Sequence, residues 1–158
     1  MRPNNLWKMI FIVYVVMLLL FVVIKFGDAL ETIARIKAGR ELGIYNYDFS
    51  FRALAYYLKN INEPFAYRNI IGNTVVFVPL GFLIPIVTKN SSSFSRTLFI
   101  CILSIVGIET FQLVTLVGFF DIADIILNTM GCFIGWMGFR VMLGKKHSHR
   151  AQRRSYQR

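Results

Sequence analysis

The chain has 158 residues, 56% of them hydrophobic and 16% charged, with a mean hydropathy of +0.55 and a formal net charge of +10. Soluble domains run nearer ~45–50% apolar and ~25% charged. Because the apolar residues here are gathered into long runs, the composition excludes an ordinary soluble enzyme and indicates an all-α integral membrane four-helix bundle in one domain, residues 1–143.

The first run covers residues 7–26, where Lys8 and Lys25 bracket 16 uncharged residues. It begins like a signal peptide, but Lys25, Phe26, Gly27 and Asp28 follow in place of a small-residue cleavage site. It therefore reads as an uncleaved anchor. Residues 28–68 form a polar connector. Leu30, Ile33, Ala34 and Ile36 recur at helical spacing, so the first helix is expected to continue to about Gly39, with Gly39 and Gly43 as stop signals. A short helix is expected over 50–60, capped by Ser50, with Phe51, Leu54, Ala55 and Leu58 on one face and Tyr56 and Tyr57 beside it. Such an amphipathic helix either lies in the membrane interface or packs as a lid on the bundle.

The second span is residues 69–88, uncharged between Arg68 and Lys89; Pro79 and Pro85 inside it should kink or break the helix. A polar turn at 89–93 leads to a third span, 94–116, and a tight turn at Val117 and Gly118 leads to a fourth, 121–143. The charge-free part of the fourth span, residues 125–139, makes about 22 Å of helix against a hydrocarbon core of ~30 Å. Asp124 is thus expected at or just inside the interface. Cys101 and Cys132 fall mid-span and read as small buried hydrophobes, matching no zinc or redox spacing.

Beyond the last span comes a basic tail, 144–158. Arg140, Lys145, Lys146, Arg150, Arg153, Arg154 and Arg158 follow Phe139 with no acid among them. Without a stacking platform or nucleic-acid module, this reads as attraction to anionic lipid headgroups, not nucleic acid. His147 and His149 in this tail make a poor metal site by themselves. With four spans, eleven Lys and Arg fall on the side of the termini and seven on the connector side. The positive-inside rule then places both termini in the cytoplasm.

Six polar residues interrupt the apolar spans: Asn73 on the second, Glu109 and Gln112 on the third, and Asp121, Asp124 and Asn128 on the fourth. Ionisable groups at membrane depth are costly and usually face a bundle interior. In the orientation above all six share one layer of the outer leaflet, with Asn73 about one turn down. Glu109 and Gln112 are three apart. Asp121, Asp124 and Asn128 follow steps of three and four, so each set lies on one helix face. The last stripe continues through Gly131 and Gly135, a small-residue surface where backbones approach closely.

This pattern resembles the VanZ-like membrane proteins. Asn73, Phe77, Pro79 and Gly81 match a first signature of that family. Glu109 and Gln112 followed by Asp121, Asp124, Asn128, Gly131 and Gly135 match a second, and Asn46 with Phe49 resembles a short upstream element. The resemblance covers roughly residues 10–143. Asp48 stands where the upstream element carries proline. No arginine occurs in residues 117–120, where the family often has one, and Arg68 is the candidate to stand in. The resemblance implies a polytopic bacterial membrane protein, its namesake linked to low-level resistance to teicoplanin, a glycopeptide acting at the outer face of the membrane.

Three roles are open to the cluster. It can bind an envelope lipid headgroup, a cell-wall precursor or a lipoglycopeptide tail through Asn73, Glu109, Gln112, Asp121, Asp124 and Asn128, with Mg²⁺ or Ca²⁺ held by Glu109, Asp121 and Asp124. It can be an intramembrane enzyme with Glu109 and Asp124 as an acid–base pair, although Ser104 and Thr110 have no evident base at hand. Or its residues tie helices together, Asp121 serving only as the cap of the last helix.

Overall fold

In the computed structural model, which describes residues 5–24, 28–88 and 93–155, the described residues form six helices and a two-residue parallel bridge. In chain order these are α1 (Asn5–Ile24), α2 (Ala29–Glu41), β1 (Tyr47–Asp48), α3 (Arg52–Lys59), α4 (Pro64–Val87), α5 (Phe94–Thr115), β2 (Phe120–Asp121) and α6 (Ile122–Ser155). Four are long and apolar enough to cross a membrane, with spans over Asn5–Val23, Pro64–Val87, Phe94–Thr115 and Ile122–Met142. The junction at 25–27 and the turn at 89–92 lie outside the described residues.

α4 and α6 are the most closely packed pair, and glycines set their separation. A Cβ on Gly131 would overlap the Thr74 carbonyl; one on Gly135 would overlap that of Val78, and one on Gly81 that of Cys132. The two backbones thus touch where the small-residue stripe was expected to lie. α5 closes a core of Phe77, Leu80, Ile84, Cys101, Ile105 and Cys132. α1 joins from the side through Leu18 and Val22, leaving Met9, Ile12 and Met17 exposed on a lipid-facing surface.

Several boundaries differ from expectation. The first helix does not run on to Gly39. Asp28 accepts hydrogen bonds from Leu30 N (2.8 Å) and Glu31 N (3.2 Å), which starts a separate helix. α2 ends at Glu41, where Ile44 N donates to Gly39 O and Gly43 N to Arg40 O, with Gly43 at φ 76°. This is the crossed pair of bonds by which a left-handed glycine terminates a helix. α4 begins five residues ahead of the predicted span, at Pro64, because proline is preorganised for a helical first position and exposed Arg68 does not interrupt the turn. Pro79 and Pro85 do not break α4. Near the carbonyl that Pro79 leaves without its usual donor, Tyr14 of α1 donates to Val76 O at 2.9 Å, as neighbouring helices do around membrane prolines. The backbone of α6 continues without interruption through the basic segment to Ser155.

α3 packs on the bundle, as one of the two expectations had it, but on a rotated face. Tyr57, with Ala53 and Leu54, packs against Ala66 and Ile70 of α4 and Ala123 and Leu127 of α6. Phe51 and Leu58, expected on the buried side, are exposed. The helix starts at Arg52 with Phe51 at the cap position; the Ser50 hydroxyl still accepts from Arg52 N at 3.3 Å.

Candidate functional site

The start of α4, the end of α5 and the start of α6 meet at the connector end of the bundle, and the interrupting polar residues meet there with them. Asn73, Glu109, Gln112, Asp124 and Asn128 are each between 2% and 5% exposed; Asp121 is half-buried. Asn73 Nδ2 donates to Asp124 Oδ1, tying α4 to α6. Because α4 starts early, Asn73 is nine residues into its helix, about 14 Å along it, deeper than one turn.

The first turn of α6 organises the acids. Asp121 Oδ1 accepts from Ala123 N at 2.7 Å, the capping role foreseen for it. Asp121 N in turn lies 3.5 Å from Glu109 Oε2. Carboxylates from α5 and from the start of α6 therefore converge on the N-terminal end of α6. Among the described residues, no group of three His, Cys, Asp or Glu side chains is placed to hold a metal ion; the trio Glu109, Asp121 and Asp124 does not form one. Arg68 is exposed and donates from Nε to Pro64 O of its own helix at 3.3 Å.

Two contributions come from the connector. Tyr57 of α3 lies over the cluster, and its hydroxyl is pushed up to about 12, first by burial and then by the nearby Asp124 and Asp121 carboxylates. A sequence signal existed: Tyr57 is a helical turn from Ala53 and adjoins the apolar stripe. Asn46 is the second contribution. It is buried, accepts from Arg40 Nη2 at 2.6 Å, and donates to Leu113 O (3.1 Å) and Gly118 O (3.0 Å). Phe120 N donates back to Asn46 O at 3.0 Å. This clamp aligns β1 with β2 in parallel, Tyr47 opposite Phe120 and Asp48 opposite Asp121. Arg40, not Arg68, thus brings a guanidinium to the 113–121 loop. Asp48, standing in place of proline, accepts from Ser50 N at 2.7 Å, and these Ser50 hydrogen bonds hold its carboxyl below the usual carboxylate range. It keeps the turn by a side-chain bond where proline would impose it.

Beneath this cover lies a cavity. Asn73, Glu109, Gln112 and Asn128 line its polar side; Phe21, Val22, Phe77 and Ile108 line the rest, with room of ≈ 10 Å³ for the centre of a water-sized body. Gln112 Oε1 and Asn128 Oδ1 are buried there without a hydrogen-bond partner. A larger cavity of ≈ 230 Å³ sits beside the clamp, bounded by Arg35, Ile36, Gly39, Ile44, Tyr45, Asn46 and Phe119.

Comparison with known proteins adds a family. A VanZ/LLP1 family model matches residues 11–143. The chain is also 32% identical over 85 residues to a protein named Protein VanZ from Enterococcus faecium, a match covering 51% of this chain and 52% of that protein. The chain thus spans about half the length of that relative. No solved structure matches.

Proposed function

The chain belongs to the VanZ/LLP1 family, and from that premise we propose that it binds an amphiphilic envelope ligand at the connector end of its bundle. The ligand is a lipid headgroup, a lipid-linked cell-wall precursor or a lipoglycopeptide tail, and the phenotype is teicoplanin-type resistance. The connector end faces outward and both termini lie in the cytoplasm, following the positive-inside count of Lys and Arg.

One observation carries this reading: acids and amides from three helices, each sequestered from lipid, converge at a single end. Glue alone would need only isolated pairs. The inner cavity is too small for a headgroup, so the ligand engages the rim formed by Asp121, the α3 cover and the β1–β2 clamp. The ≈ 230 Å³ apolar cavity beside the clamp offers space for part of an acyl tail, with Arg35 at its wall.

The test is teicoplanin susceptibility in a sensitive host. Wild type should raise the inhibitory concentration over an empty vector, and Asp121→Ala at equal expression should not. Lipids co-purifying with wild type, but not with Asp121→Ala, would name the ligand. Equal susceptibility of vector and wild-type cells would remove the resistance reading. A second reading is favoured at one position. The Asn73–Asp124 bond crosses the tightest helix pair, so Asn73 serves the α4–α6 contact whatever the rim binds.

A further inference from the structure

The inner cavity has a chemistry of its own. Gln112 Oε1 and Asn128 Oδ1 are two of three buried side-chain polar atoms without a partner among the described residues; the third, Trp136 Nε1, belongs to a different part of α6. Buried acceptors left bare are rare and call for an explanation. Both residues line one space, and Glu109 lines it too. The Asn73 amide nitrogen is already committed to Asp124.

What would satisfy this space is small, positively polarised and hard. Its volume of ≈ 10 Å³ admits a single water-sized body. Its donor atoms are oxygens, the ligands of hard cations. One carboxylate with two neutral amide oxygens balances one positive charge. The lining itself offers a single carboxylate, and among the described residues no group of three acidic, His or Cys side chains is placed to hold a divalent metal.

We propose that the cavity seats one monovalent cation of sodium size, held by Gln112 Oε1, Asn128 Oδ1 and the Glu109 carboxylate. The ion neutralises Glu109 and bridges α5 to α6. This seat shares residues with the cluster discussed above but does not depend on the envelope ligand. A sodium response without a teicoplanin response would leave the seat standing and remove only the resistance reading.

Thermal unfolding of the full-length protein in detergent tests it, in NaCl, KCl, MgCl₂ or choline chloride at matched ionic strength. Sodium should raise Tm over choline by about 3 °C, saturating with concentration, as expected for a ligand bound only by the folded state. Gln112→Leu and Asn128→Leu should lose that rise. Ser104→Ala, whose hydroxyl donates to Ile100 O within its own helix, should keep it. Should the leucine variants fail to fold, ²²Na⁺ retention by wild type at about one ion per chain, displaced by unlabelled sodium, supports the seat. Identical Tm in sodium and choline with no retained ²²Na⁺ would show an ordered water only and overturn the proposal. So would a rise with Mg²⁺ that sodium does not reproduce.

Discussion

Alanine at Gly131 should destabilise the protein although alanine is the better helix former. Its Cβ would fall on the Thr74 carbonyl oxygen and within 3.3 Å of Phe77 Cβ, both on α4. A backbone carbonyl cannot swing aside, so the Cβ and the carbonyl, 2.0 Å apart, must part by about 1.5 Å to restore the ~3.3–3.6 Å carbon–oxygen contact found where helices pack closely. Overpacking costs ~1–3 kcal/mol, and a clash with backbone falls in the upper part of that range, ~2–3 kcal/mol, of which removing a helical glycine offsets about 1 kcal/mol. Each kcal/mol moves Tm by ~2–4 °C in a chain of this size, so the net loss should be roughly 2–8 °C. Gly135→Ala, facing the Val78 carbonyl and Phe82 N, should behave alike. Gly72 and Gly107 supply the contrast, because a Cβ on either meets nothing within 4 Å. Alanine there should leave Tm unchanged or raise it slightly. The assay is a detergent thermal scan of the five proteins side by side. Wild-type Tm for Gly131→Ala, or an equal fall for Gly107→Ala, would refute the backbone contact between α4 and α6.

Asn46→Ala removes three side-chain hydrogen bonds from a buried position; at ~0.5–1.5 kcal/mol each it should lower Tm by several degrees and open the connector to protease first, read by limited proteolysis. Asn73→Leu should cost about 1 kcal/mol, the scale of a single interhelical hydrogen bond in a membrane, whereas Asn69→Leu, whose amide bonds only Phe65 O on its own helix, should be neutral in the same thermal scan. Tyr57 gives a pH prediction. Its folded value is raised from 10.0 to about 12, so the unfolded chain loses its proton first, and stability complete below pH 10 is lost as pH rises toward 12. Tyr57→Phe should flatten that alkaline fall in Tm, and an unchanged limb would refute the burial of its hydroxyl beside the carboxylates.

The parts of the fold that could be read from residues are those with a strong local signature. The four apolar runs needed only length and composition, and the glycine stripe at 131 and 135 marked the packing face because spacing alone sets a helix surface. The convergence of Glu109, Gln112, Asp124 and Asn128 followed from depth and helical phase, and the structure brings them together. What stayed hidden depended on tertiary contacts. Asn46 is marked only by its likeness to an upstream family element, and its role as a clamp appears only once the loop of Leu113 and Gly118 is folded beneath it. The rotated face of α3 could not be chosen from its own pattern, because Phe51, Leu54, Tyr57 and Leu58 are all apolar or aromatic and only Ala66, Ala123 and Leu127 select among them. Arg68 shows the limit of reading charge alone: the helix begins ahead of it at Pro64, and its guanidinium bonds Pro64 O of its own helix, while Arg40 bonds Asn46 of the clamp.

The reach of the Asn46 clamp has a consequence for biogenesis. Its two acceptors lie 67 and 72 residues downstream of it. A growing chain therefore emerges with its connector unlatched and stays so while α4 and α5 are made. Only when the loop after α5 has emerged can the latch close, and only when α6 follows are the buried acids covered. A stalled or shortened product would display an open, protease-accessible connector, by which a cell's surveillance proteases can tell unfinished copies from finished ones.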